Sequence, residues 1–77
     1  MNPYSRLANA IIIQAFKDYK TILQKWRRYP ENAKISQTKT EVEEFFRSEW
    51  FSMLTKLDGE TLMVRMQEII LGEAVAV

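Results

Sequence analysis

The chain has 77 residues, 47% of them hydrophobic, with no cysteine and no histidine. This composition bounds one small globular domain and excludes a disulfide staple, a thiolate metal site and the commonest general base and strongest nucleophile. The net charge of +1 hides a division: residues 1–40 carry eight Lys/Arg against two acids, and residues 41–77 carry three against eight. Such asymmetry marks either a nucleic-acid surface or two halves that attract each other when packed. The near-cancellation favours the second reading.

A domain of this size buries about 63% of its unfolded surface, enough for one modest core. No run approaches the ~20 apolar residues of a membrane span. Ala8 to Ala15 is apolar but interrupted by Gln14, and reads as a buried helix face rather than a signal peptide.

In chain order, Asn2-Pro3 is a helix start, with Asn as cap and Pro at the first helical position. From Tyr4 to Trp26, residues such as Leu7, Ile11, Ala15, Phe16, Tyr19, Ile22 and Leu23 recur at steps of one, three and four, a wide apolar stripe at helical period. Pro30 ends this helix near Tyr29. The first helix thus covers about 3–29 and is roughly 39 Å long. A compact domain of this length has a radius of gyration of about 11–12 Å, so the helix spans the molecule and its far end overhangs.

Residues 31–39 are polar without clear periodicity and read as a loop, with a turn of helix after Pro30 as the alternative. Thr40-Glu41-Val42-Glu43 is a capping-box pattern, so a second helix is expected over about 40–48, with Val42, Phe45 and Phe46 inward. The pattern restarts at Ser48-Glu49-Trp50-Phe51, which gives either a short third helix over about 49–55 or a second helix that runs straight through Ser48. Asp58 caps a fourth over about 59–71, whose buried face is Leu62, Met63, Met66, Ile69 and Ile70 and whose stop is Gly72. The tail 73–77 is expected to fray. The fold class is all-α, a compact bundle of three to four helices with a long first helix. Phe45, Trp50 and Leu54 are expected to pack against Ile11, Ala15, Phe16 or Tyr19.

The segments Ile12-Ile13-Gln14-Ala15-Phe16-Lys17-Asp18-Tyr19 and Glu44-Phe45-Phe46-Arg47-Ser48-Glu49-Trp50-Phe51, followed by Leu54-Thr55 and Leu57-Asp58-Gly59-Glu60-Thr61-Leu62, resemble a group of small uncharacterised helical proteins. These occur in bacteriophages, prophages and mobile elements of Gram-positive bacteria. The resemblance covers residues 8 to 66. It implies a genomic setting, and with it the cytoplasm of a host cell, but no mechanism.

No catalytic constellation stands out. Glu41, Glu43, Glu44 and Glu49 cluster, but acids early in a helix are favoured by its dipole and read as a solvated face. A two-metal carboxylate bundle wants Glu-x-x-His, which a chain without histidine cannot supply. With Gly59 and Gly72 as the only glycines, there is no phosphate-cradling loop. The expectation is a non-enzyme that needs no cofactor.

Two surfaces are candidates for binding. Lys25, Trp26, Arg27, Arg28 and Tyr29, at the overhanging end of the first helix, join three cations to two aromatics, the mix that suits a protein partner or a nucleic-acid backbone. Against this, cations in a last turn also complement the helix dipole. Met53, Met63, Met66, Ile69, Ile70 and the Ala74-Val75-Ala76-Val77 tail suggest homo-oligomerisation. A helix-turn-helix reading of the second and third helices is weak, because Glu49 to Leu57 carries one cation, Lys56. The expected function is therefore a small phage or mobile-element accessory protein that binds a phage or host protein, as regulator, structural part or inhibitor of a host system. The alternative is a transcriptional regulator that binds nucleic acid. No membrane partner is expected.

Overall fold

The computed structural model describes residues 3–75, with side chains as far as residue 72. Four helices follow one another: α1 (Pro3–Arg28), α2 (Ala33–Phe46), α3 (Glu49–Leu54) and α4 (Gly59–Val75). The described residues contain no strand, and none of their helices is long and apolar enough to cross a membrane.

Helix α1 sets the shape. Its 26 residues span most of the 42 Å long axis of a 42 × 26 × 17 Å molecule. The radius of gyration is 13.5 Å, above the compact-domain expectation, because this one helix runs the full length. Ala8, Ile12, Ala15, Tyr19, Ile22 and Leu23 are its buried face, as the period predicts. The expected Asn2 cap lies outside the described residues. At the other end the Tyr29 N–H still donates to the Lys25 carbonyl at 2.8 Å before the chain turns at Pro30.

Helix α2 begins seven residues earlier than the capping box suggested. Asn32, not Thr40, is the cap: its side-chain oxygen accepts from the Ile35 N–H at 3.0 Å. Thr40 sits inside the helix with its hydroxyl on the Ser36 carbonyl. The polar stretch from Ala33 to Lys39 is helical, and within it Ile35 supplies an inward position in line with Val42 and Phe46. The helix stops at Phe46, and Ser48 starts α3 by accepting from the Phe51 N–H at 3.1 Å and donating to the Phe45 carbonyl at 2.6 Å.

Helix α4 opens on Asp58, which accepts from the Glu60 N–H and the Thr61 hydroxyl. Gly59 has a reason beyond cap preference. A Cβ there would lie 2.0 Å from the Phe46 carbonyl oxygen, so only glycine lets α4 start hard against the end of α2. Arg47 and Glu60 form an ion pair across the same junction. Gly72 does not stop the helix, which continues to Val75. Glycine permits a left-handed cap without compelling one, and its cost in a helix interior is about 1 kcal/mol. The expected fraying of 73–77 falls on residues whose side chains, or whole placement, lie outside the described set.

Helix α2 runs antiparallel to α1: Lys39 lies over Trp26, Glu43 against Tyr19 and Phe46 against Phe16. Helix α4 runs the same way as α1, with Gln67 at Tyr19 and Ile70 at Arg27. Phe46 and Phe51 are the rings at the centre, and Phe46 packs on Phe16 and Tyr19 at 5.7 and 5.5 Å. The expected division among the aromatics is corrected here. Phe45 is half-buried, and Trp50 leans edge-on against it at 5.4 Å while remaining 55% exposed. Because α3 restarts at Ser48, it is Phe51 and not Trp50 that turns inward.

Candidate functional site

The C-terminal part of α1 is fixed by polar ties as well as by packing. Tyr19, with 0% exposure, donates its hydroxyl to a Glu43 carboxylate oxygen at 2.6 Å. The same oxygen accepts from the Lys39 ammonium at 2.8 Å, and Gln67 donates to the Tyr19 oxygen at 2.8 Å. This relay joins α1, α2 and α4. Glu43 was expected on a solvated face, yet it is 8% exposed and among the most enclosed groups of the molecule. Burial pushes its pKa up, but the hydrogen bonds from Lys39 and Tyr19 outweigh burial and hold it below the ordinary glutamate value. Burial and the Glu43 carboxylate raise the Tyr19 phenol well above its usual range.

Two of the five residues singled out at the end of α1 continue these ties. Trp26 is half-buried beneath the Lys39 ammonium, 4.9 Å from its ring centre. Arg27 donates through Nη1 to the Ile70 carbonyl at 2.9 Å. Arg27 stays exposed while making this contact, and the other three point outward. Lys25 is exposed, and the Arg28 guanidinium stands 5.8 Å over the ring of Tyr29, itself 53% exposed. Arg28, Tyr29, Pro30, Glu31 and Asn32 line a shallow concavity of about 330 Å³ beside them.

The charge division of the sequence persists by helix but is not complete: Arg6, Lys17, Lys20, Lys25, Arg27 and Arg28 are exposed on α1 with one acid, Asp18, and exposed Glu41, Glu44, Glu49, Glu60 and Glu68 lie on α2, α3 and α4 with Lys34 and Arg65. Neither ion pair among the described residues joins α1 to another helix, since Lys39–Glu43 lies within α2 and Arg47–Glu60 links α2 to α4. Among the described residues the basic half meets the acidic half in the Lys39–Glu43 pair, while α1 itself is held to the other helices by apolar packing and the Tyr19 relay. The described residues bring together no group of three or more acids, histidines or cysteines suited to a metal ion. Of the suspected self-association residues, Met63 and Ile70 are buried, Met66 is half-buried, and Met53 and Ile69 remain exposed.

The relay was missed at the sequence level because its partners are 24 and 48 residues apart. The only local signal was Lys39 four residues before Glu43, a spacing that helical pairs favour. Compared with known proteins, the chain matches no family model, no curated sequence and no solved structure.

Proposed function

We propose that this chain is a small, non-enzymatic accessory protein of a phage or mobile element, acting in the host cytoplasm by binding another protein through Lys25, Arg28 and Tyr29. The observation that carries the reading is the division of labour within one helix end. Trp26 and Arg27 fasten the last turns of α1 to α2 and α4, which leaves Lys25, Arg28 and Tyr29 exposed on a pre-fixed support. Arg and Tyr are side chains that dominate binding hot spots. A surface fixed before binding loses less freedom on association. The matching partner surface is acidic with an apolar seat for the Tyr29 ring. The phage setting rests on the resemblance of the aromatic-rich segment.

The second reading, a nucleic-acid-binding regulator, draws on the exposed cations of α1, which extend from Arg6 to Arg28 over about 33 Å. Salt separates the two readings, because phosphate contacts release counterions and lose affinity steeply as salt rises. Affinity capture from host lysate, with and without nuclease, is the experiment. Protein recovered in both arms, and lost with Lys25→Glu/Arg28→Glu, supports the first reading. Capture abolished by nuclease overturns it in favour of the second.

A further inference from the structure

Tyr4, Leu7, Ile11, Gln14 and Asp18 follow one another along α1 at steps of three and four, which places them in a single line down one edge of the helix. The later part of this edge walls an open groove of about 370 Å³ between α1 and α2, with Ile11, Ala15, Val42 and Phe45 as its apolar lining and Asp18 and Glu41 as carboxylates on its rim. The earlier part does the opposite. Leu7 projects from the surface, 61% exposed. An apolar knob and an apolar hole therefore lie on one strip of one helix, about two turns apart.

We propose that this strip is the interface of a homodimer in which two α1 helices pack antiparallel about a twofold axis near Ile11, each Leu7 entering the groove of the other copy. A twofold interface must be complementary to itself, and this strip is. With the axis at residue 11, position 7 of one copy stands opposite position 15 of the other, inside the groove. A parallel pairing would set Leu7 against Leu7 and leave both grooves empty. Charge agrees with the antiparallel register: position 18 of one copy stands opposite position 4 of the other, so the Asp18 carboxylate meets the first turn of the second α1, which carries no acid and where the helix dipole favours one. The inference is independent of the partner-binding reading of the C-terminal end.

Sedimentation velocity of the full chain over a wide concentration series tests it. The mass should rise from one chain to two, and Leu7→Glu should stay monomeric at every concentration with an unchanged helical spectrum, since Leu7 is a surface residue. The absence of cysteine makes a second test unambiguous. Ile11→Cys, at the axis, should oxidise to a covalent dimer, and Lys20→Cys, on the outer face, should not. A wild-type chain that remains monomeric throughout, a dimer that survives Leu7→Glu, or equal cross-linking at both positions overturns the proposal. So does a monomer whose groove instead takes an added basic amphipathic peptide, which would assign the groove to a foreign helix.

Discussion

Toward its C-terminus, α1 is tied by directional contacts: Tyr19 to Glu43 and Gln67, Trp26 beneath Lys39, Arg27 on the Ile70 carbonyl. Toward its N-terminus it has the apolar contacts of Ala8 and Ile12, while Leu7 and Ile13 face water. The same helix thus ends in a braced surface at one side and an open apolar edge at the other. A helix longer than the core behind it is not bare merely because it overhangs. What decides is whether its side chains are long and polar enough to reach carbonyls and carboxylates on neighbouring elements. Arg27 and Lys39 are; Leu7 is not.

The largest effect that can test this contrast lies where both ends meet. Phe46 touches Phe16, Tyr19, Phe45 and Phe51. Phe46→Ala should cost about 3–5 kcal/mol, a large share of the roughly 5–15 kcal/mol that holds a typical domain. Chemical denaturation should then show both ends of α1 lost in one transition at a much lower midpoint. Two separated transitions would mean that the ends are independent.

The polar ties should report themselves through pH. The folded-state pKa of Glu43 lies below its ordinary value. The stability that it contributes is therefore complete above the unfolded-state pKa and is lost as pH falls through the lowered folded value. The denaturation midpoint should drop in that acid window, and Glu43→Gln should remove this part of the dependence. Tyr19→Phe, which deprives Glu43 and Gln67 of a partner, should cost about 1–3 kcal/mol near neutrality. Acid profiles that are identical for wild type and Glu43→Gln would show that the brace is not electrostatic.

A smaller effect belongs to Arg27 alone. Arg27→Ala should lower stability by about 0.5–1.5 kcal/mol and raise amide exchange in the last turns of α1. Exchange there that equals wild type would remove Arg27 from the brace.

Much of this architecture was legible because it depends on neighbours in sequence. The stripe of α1, the break at Pro30, the cap at Asp58 and the all-helical class all follow from periodicity and local hydrogen bonding. The failures share a cause. Thr40-x-x-Glu43 has the form of a capping box, yet Asn32 already caps the helix and Glu43 is occupied by Tyr19 of another helix. Trp50 and Phe51 are neighbouring aromatics, and the restart of the helix at Ser48 decides which ring turns inward. The ties of Trp26 and Arg27 within the candidate binding end are not legible because their partners, Lys39 and the Ile70 carbonyl, stand 13 and 43 positions away. The demand for glycine at 59 comes from a carbonyl on another helix. Contacts between helices far apart in sequence leave no mark on local pattern.

The central claim is that the end of α1 is divided into a brace and a binding face, and one paired capture experiment tests it most directly. Lys25→Glu/Arg28→Glu and Arg27→Ala are compared with wild type for melting and for recovery of the lysate partner. The account predicts that the double variant melts within about 1 kcal/mol of wild type and recovers no partner, while Arg27→Ala melts earlier and still recovers it below its melting temperature. A double variant that folds and captures the partner as well as wild type would contradict the claim.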